Sequence, residues 1–183
     1  MKRIVLIGVG LLALSASGSA QAPAPNLDTA LAAAPRNMRD GAMVIKWKAD
    51  GTYDTLRPGT NRLVCYDQSG DPGEQPFSVQ CTSAGNLDRV KQNKEYEAKE
   101  ADRAKREAML AELEKAGTRV KPEFGSVFYS MSGKDQASAR THITIAVPGA
   151  TTATLGLPDN PKMGGAWIMG AGTSTAHIMT PGS

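Results

Sequence analysis

The sequence predicts an α+β protein in which a mostly antiparallel sheet carries one long charged helix and one disulfide. Segments that alternate apolar and polar residues, separated by turn-forming residues, lie on both sides of a central segment rich in charge. The chain contains two cysteines in all, Cys65 and Cys81, so a single pair is the simplest arrangement. With 183 residues, 40% of them hydrophobic, the chain is long enough for one domain with a real core.

The composition excludes several other classes of protein. It does not fit a collagen-like repeat, a cysteine-stapled miniprotein or a polytopic membrane protein. A formal charge of +3 is too small to indicate a nucleic-acid partner, and basic and aromatic residues are not interleaved as nucleic-acid binding would require. The chain also has neither a Walker loop nor a dinucleotide fingerprint, so we expect no cofactor.

Residues 1–20 have the three parts of a secretory signal peptide. Two basic residues follow the initiator methionine, residues 4–14 form an eleven-residue run of apolar residues and glycine, and residues 15–20 are small. The run is too short to cross a bilayer of about 30 Å as a helix, although an uncleaved anchor is the alternative. We expect cleavage after Ala20, no stable membrane span afterwards, and a periplasmic or secreted protein. Loss of the two basic residues leaves a nearly neutral chain.

Export makes a disulfide between Cys65 and Cys81 the expected state of the pair. A redox pair or two metal thiolates are the alternatives, but a redox pair more often has the close CxxC spacing and two thiolates need further ligands. The intervening residues, 66–80, are rich in turn formers, and we expect them to depend on the disulfide for their order.

The first part of the mature chain, residues 21–40, is predicted to be a tether with one short helix. Residues 21–25 are rich in proline and alanine, and a helix is predicted to start at Asn26 and to end before Pro35. From residue 41 to residue 183 we expect a single α+β domain. Its first strands are predicted at 43–48, 53–57 and 62–66, where they form an antiparallel meander.

The central segment predicts one long helix over about 86–116. Between Asp88 and Lys115, sixteen of twenty-eight residues are charged, eight of each sign, and several opposite charges, such as Asp102 and Arg106, lie four residues apart. Gly117 is placed to end the helix. The apolar side is thin and consists mainly of alanine, so we expect a solvated helix lying on the sheet. A coiled-coil arm for a partner is the alternative, although sustained heptads are missing.

The second half of the chain is predicted to be a β region of very low charge. Strands are expected at 126–131, 141–147, 167–169 and 176–179. Residues 141–183 contain just two charged side chains, Asp159 and Lys162. The charged residues are therefore concentrated in a solvent-exposed helix, and the β region is nearly neutral.

The order of these motifs resembles that of a group of uncharacterised secreted bacterial proteins with the pattern W..DG…LR.GTN…C, then YM, then AH.M. The likeness spans residues 42–179 and implies export and one domain, but no activity. The residues that carry it are Trp47, Asp50, Gly51, Leu56, Arg57, Gly59, Thr60, Asn61, Cys65, Cys81, Tyr129, Met131, His177 and Met179.

Few residues are candidates for a site. Arg57 and Asn61 flank a turn whose polar groups could bind a ligand, although turn chemistry explains them equally well. His142 and His177 are the only histidines, and both are candidate ligand-binding residues.

Two kinds of chemistry could centre on His177. Together with Met179 and Met169 it could bind copper through imidazole and thioether groups, although methionines at strand spacing more often fill a core. A hydrolase would use His177 with Ser174 or Thr175, but these residues do not form the G-x-S-x-G turn typical of such enzymes.

We therefore expect an exported protein, more readily non-catalytic than enzymatic, that binds a partner or small ligand through its low-charge β region. The alternative is a copper-binding protein or a hydrolytic enzyme centred on His177. The charged helix could also mediate association with another protein or a weak homo-oligomer.

Overall fold

A computed structural model describes residues 27–180; the predicted signal peptide, 1–20, and the tether, 21–25, lie outside the described residues. The strands are β1 (Met43–Trp47), β2 (Tyr53–Arg57), β3 (Leu63–Asp67), β4 (Phe77–Ser83), β5 (Val127–Gly133), β6 (Arg140–Ala146), β7 (Trp167–Met169) and β8 (His177–Met179). The α-helices are α1 (Leu27–Ala30), α2 (Arg36–Arg39), α3 (Leu87–Lys99), α4 (Arg103–Lys115) and α5 (Thr152–Leu155). Short 3-10 turns occur at Ala84–Asn86 and Pro161–Met163.

Within residues 27–180, eight strands form one sheet in the order β2-β1-β3-β4-β5-β6-β8-β7. All neighbouring strands are antiparallel except β1 and β3, which run parallel. The predicted α+β class and the mostly antiparallel sheet are therefore confirmed.

The predicted meander of the first three strands is wrong, because β1 lies between β2 and β3, and β3 does not pair with β2. After β2, the chain crosses the start of β1, where the backbone N–H groups of Thr60 and Asn61 both donate to the carbonyl oxygen of Gly41. Gly59 makes this crossing possible: a Cβ atom at that position would lie 2.5 Å from the backbone nitrogen of Met43. Strand β3 then starts beside β1 and runs in the same direction.

The segment between the cysteines is also more ordered than its run of turn formers predicts. The loop ends at residue 76, and β4 occupies the centre of the sheet between β3 and β5. The sequence of β4, FSVQCTS, alternates apolar and polar residues, but the preceding run of turn formers obscures this pattern. Cys65 and Cys81 are directly paired in the β3–β4 ladder, and the predicted disulfide between them is confirmed, with Cα atoms 4.0 Å apart.

The register of the sheet gives it two different faces. We call one the α1 face; it carries Cys65 and Cys81, and it packs against α1 and the turn that follows it. We call the other the α3 face; its side chains on β1 and β3, among them Ile45 and Tyr66, pack against Val90 of α3. The low-charge strands β6, β8 and β7 extend both faces beyond the part that these helices cover.

The long helix predicted over 86–116 is two helices, α3 and α4, separated by three residues. Glu100 has an extended backbone, and the carboxylate of Asp102 accepts a hydrogen bond from the N–H of Lys105 at 2.9 Å, which caps a new helix. Because α4 has no buried residue, little apolar contact would keep one continuous helix on the sheet. No helix within residues 27–180 is long and apolar enough to cross a membrane.

The short helix predicted from Asn26 to Ala34 likewise ends earlier in the structure. Helix α1 ends at Ala30, and turns continue the chain as far as Pro35. Helix α2 follows directly, with Pro35 at its N-cap. The apolar residues of this segment, including Leu31 and Ala34, are buried against the α1 face, so packing rather than helix length decides its conformation.

We predict that Gly59→Ala destabilises the protein by about 1–3 kcal/mol, the usual cost of forcing a group into packed structure. The new Cβ would meet the backbone of Met43, which cannot move without disturbing the β1–β3 ladder. Urea unfolding measures the loss. Gly165→Ala is the matched control, because nothing lies within 4 Å of a Cβ there; equal stability of the two variants would contradict the role of Gly59 in the crossing.

Candidate functional site

A cavity of about 290 Å³ lies on the α3 face, where β4, β5, β6 and β8 extend beyond the cover of α3. We call it the trough. Its lining includes Gln80, Ser130, His142, Thr144 and His177 from the four strands. Arg89 and Asn93 contribute from α3, and Phe128 and Pro122 add apolar surface.

Strand register brings the polar side chains of the trough to one side of the sheet. Gln80 of β4 is opposite Ser130 of β5, and Ser130 is opposite His142 of β6. His177 of β8 is opposite Ala146 of β6, four residues beyond His142. Four residues of a strand span about 13 Å, so the two histidines line different ends of the trough.

One histidine of the trough forms a hydrogen bond with the protein and the other does not. The Nδ1 atom of His177 lies 2.7 Å from the carbonyl oxygen of Thr175. Because a carbonyl oxygen accepts hydrogen bonds, Nδ1 is the donor in this contact, and Nε2 has no hydrogen-bond partner within residues 27–180. The half-buried side chain of His142 forms no hydrogen bond with any residue in the described range 27–180.

A buried polar network holds the wall of the trough. The Nη1 atom of Arg89 donates to the carbonyl oxygen of Val120 at 2.5 Å and to the hydroxyl oxygen of Ser174 at 3.1 Å. Ser174 in turn donates its backbone N–H, at 2.6 Å, and its hydroxyl to the Glu114 carboxylate. Arg119 donates to the side-chain oxygen of Asn93 at 2.5 Å. The network therefore joins α3, α4 and the loop between β7 and β8.

The charges in this network perturb one another. Burial lowers the pKa of Arg89 to about 10, and the nearby charge of Arg119 contributes in the same direction. Burial likewise lowers the pKa of Arg119. For Glu114, burial raises the pKa, but the two hydrogen bonds from Ser174 and the two arginine charges outweigh it and the pKa is lowered. At neutral pH the network thus holds two guanidinium charges and one carboxylate charge.

Ser174 and His177 form separate hydrogen bonds and do not bond to each other. The hydroxyl of Ser174 donates to Glu114, whereas Nδ1 of His177 bonds to the backbone of Thr175. Ser174 is also buried. A serine nucleophile would need its hydroxyl to donate to the imidazole and to be open to a substrate.

Arg57 and Asn61 lie at the crossing of the chain over β1, and neither lines the trough. Arg57 donates from Nη2 to the carbonyl oxygens of Arg39 and Ala42, each at 2.7 Å. The side-chain amide of Asn61 donates to the carbonyl oxygen of Met38 at 2.8 Å and accepts from the N–H of Leu63 at 2.9 Å. Their polar groups hold the backbone of this turn, which is the ordinary role of such residues.

The structure brings together the three residues considered for copper. Met169 of β7 is directly opposite His177 of β8, and Trp167 is opposite Met179. Alternation along each strand therefore places Met169, His177 and Met179 on one face. Met169 is 46% exposed, whereas Met179 is buried. No group of three or more histidine, cysteine, aspartate and glutamate residues within 27–180 is arranged to hold a metal ion.

Another cavity, of about 330 Å³, lies between the β1–β2 turn and α3 and is lined in part by Trp47, Lys94 and Asp71. Lys94 and Asp71 form an ion pair across it, so these charges are already compensated. The trough differs because several of its polar groups have no such partner. We therefore take the trough as the candidate site.

Both histidines of the trough are among the candidates predicted from the sequence, whereas Gln80, Arg89, Asn93 and Ser130 are not. The alternating pattern of β4 could have placed Gln80 on the same face as the other polar residues. Nothing in the sequence distinguishes Arg89 from the seven other basic residues in the charged segment of α3 and α4. Its burial results from the docking of α3 on the sheet and of the 170–176 loop on α3.

Comparisons with known proteins assign the chain to no family: no protein-family model, no curated protein and no solved structure matches it. The resemblance to uncharacterised secreted bacterial proteins therefore stays a prediction. Arg57, Gly59 and Asn61, which belong to that resemblance, all have structural roles at the crossing. The function has to be inferred from the geometry of the trough.

We predict that Glu114→Gln destabilises the protein at pH 7 and that the difference from wild type shrinks in acid. The pKa of Glu114 is lowered on folding, so its stabilising contribution is present above the ordinary value of 4.5 and is lost as the pH falls through the lowered value. Urea midpoints at pH 7 and pH 3 measure the effect.

Glu112→Gln is the control for this experiment, since Glu112 lies on the same helix but is exposed and pairs with Lys115 at the surface. We expect the Glu112 variant to follow the wild type at both pH values. If the Glu114 variant does so too, the carboxylate does not stabilise the network.

Proposed function

We propose that this protein is an exported, non-catalytic binding protein that holds a small polar ligand in the trough. The observation that carries the proposal is a set of sheltered polar groups with unused hydrogen-bonding capacity, all lining one cavity. The side chains of His142 and Thr144 form no hydrogen bond within the described residues, and Nε2 of His177 is free as well. Sites for small molecules typically combine a concave surface with a few such converging groups.

The size of the trough favours a small molecule over a polymer or a peptide. A volume of about 290 Å³ equals that of about ten water molecules in the liquid. It lies near the lower limit of the cavities that hold small ligands. A ligand the size of one sugar ring, one amino acid or one small aromatic acid would fill it.

Two further observations support the export and the non-catalytic part of the proposal. The disulfide between Cys65 and Cys81 is compatible with an oxidising compartment, as the sequence of residues 1–20 also suggests. The separate hydrogen bonds of Ser174 and His177 do not activate a nucleophile. Binding without chemical conversion therefore accounts for the site with the fewest additional assumptions.

We predict that the protein isolated from the exporting cell carries a small molecule that Thr144→Trp removes. Tryptophan at this position would occupy the trough, and strands accept aromatic residues readily. Native mass spectrometry measures both the bound mass and the mass of the chain, which should start at Gln21 if the signal peptide is cleaved after Ala20.

Thr141→Trp is the matched control, because Thr141 is an exposed residue of the same strand on the opposite face. We expect this variant to keep the bound molecule. Wild-type protein without any bound molecule, or a Thr144 variant that keeps it, would contradict the proposed function.

Copper binding at β7–β8 is a second candidate, favoured by the register that places Met169 opposite His177. Imidazole and thioether groups together suit copper, especially in its reduced state. The hydrogen bond from Nδ1 of His177 to Thr175 resembles the outer contact that usually orients a metal-binding histidine, and it leaves Nε2 for the metal. The exposed Met169 gives access from solvent.

We predict that, if this candidate is correct, His177→Ala and Met169→Leu each weaken Cu(I) binding by about tenfold or more. Competition of the purified mature protein with a chromogenic Cu(I) chelator measures the affinity. Met163→Leu is the control, because Met163 is highly exposed and lies outside the two strands. Unchanged copper binding by the His177 variant would remove this candidate.

A further inference from the structure

We infer that the ligand of the trough is a small organic anion, with Arg89 as the residue that recognises its charge. This inference rests on the proposed function and specifies the class of ligand. It follows from three features of the trough: the open hydrogen-bond donors of Arg89, the balance of charge around it, and the apolar surface beside it.

The guanidinium of Arg89 is almost wholly buried but has donors left over. The residue is 5% exposed, and Nη1 makes both of its hydrogen bonds, to Val120 and Ser174. In the described part of the chain, the buried side-chain polar atoms without a partner are Nε of Arg39 and Nε1 of Trp47. Nε and Nη2 of Arg89 form no hydrogen bond among the described residues and are not among these buried unpaired atoms, so each keeps some solvent-accessible surface.

The cavity beside Arg89 is the trough, since Arg89 is one of its lining residues. Two N–H groups of a planar guanidinium, held in a fixed orientation by Val120 and Ser174, match the two oxygens of a carboxylate. Water can occupy this place in the free protein, but an anion would satisfy both the donors and the charge.

The balance of charge around the trough also favours an anion. Among the described residues that line it, none is an aspartate or a glutamate, while Arg89 carries a formal positive charge. Behind the wall, Glu114 bonds to Ser174 and not directly to Arg89, while Arg119 adds a second guanidinium and Glu97 a carboxylate near Arg119. A buried charge with no carboxylate bonded directly to it is costly, and a bound anion would reduce that cost.

The apolar surface of the trough indicates that the anion has an organic part. Phe128 of β5 and Pro122, which precedes that strand, line the cavity together with Ala146 and Ala176. Such a surface contributes nothing to binding a bare inorganic ion, but it can pack against a ring or a short hydrocarbon chain. The chemical class is therefore a small carboxylic acid with an apolar body.

Three probes of nearly the same shape test this inference: benzoate, benzamide and benzamidinium, which are negative, neutral and positive. We expect benzoate to bind with a Kd about tenfold or more below those of the other two, because only it can offset the charge of Arg89. NMR titration of the labelled mature protein measures each Kd and shows whether the shifted amides lie on β5, β6 and β8. Inorganic phosphate is titrated alongside, and we expect it to bind more weakly than benzoate.

The variant His142→Asp tests the role of charge without disturbing Arg89, whose replacement would also break the bonds to Val120 and Ser174. Because His142 forms no side-chain hydrogen bond within 27–180, the fold should tolerate the change. We expect about a tenfold or greater loss of benzoate affinity. Thr141→Asp is the control, because it introduces a carboxylate at an exposed position on the opposite face of the same strand. We expect this variant to bind benzoate nearly as well as the wild type.

Each outcome bears on this inference separately from the proposed function. The inference is supported if the wild type prefers benzoate, if His142→Asp abolishes this preference, and if Thr141→Asp preserves it. Equal binding of all three probes in the trough would overturn the inference while leaving a small-ligand site, and preference for benzamidinium would overturn it as well. If no probe binds, or if phosphate binds more tightly than benzoate, the assignment to an organic anion is wrong.

Discussion

The register of β3 against β4 is the constraint on which the rest of the structure depends. These strands lie at the centre of the sheet, and the disulfide joins Cys65 directly to Cys81 across them. A slip of one residue in β4 would exchange its two faces, turning Gln80 to the α1 face and a cysteine to the α3 face. The covalent bond excludes that slip. The polar floor of the trough, which starts at Gln80 and continues through Ser130 to His142, therefore depends on a bond on the opposite face.

The wall of the trough depends on a second, electrostatic constraint. Arg89 is buried where α3, the backbone at Val120 and the loop at Ser174 meet, and it holds all three together. Such a charge contributes little to stability by itself because burial is costly. Its value lies in orientation, since these bonds hold the guanidinium of a residue that lines the trough. Arg89 thus contributes both to the packing of the fold and to the candidate site.

Several features of the fold could be predicted because the signal for them is local. The strands of the β region follow from alternation, and the cysteine pair follows from its number and setting. The parallel pairing of β1 and β3 could not be predicted. It results from a close crossing of the chain at Gly59, where the sequence of residues 57–61 indicates an ordinary turn. The prediction of one long helix was wrong for a similar reason: the spacing of Asp102 suggests an ion pair with Arg106, but Asp102 caps a second helix. Local patterns do not show which of two local roles a residue takes.

By itself, the sequence determined the class of fold, the disulfide, the segregation of charge and the two histidines as candidates. These features depend on residue types and on their spacing along the chain. The tertiary structure decided which side chains share a cavity and that Arg57 and Asn61 hold the backbone instead. It also decided which of the eight basic residues between Asp88 and Lys115 lines the trough. The physical reason is that burial and unmet hydrogen bonding arise where distant segments pack together. Neither is a property of any single segment.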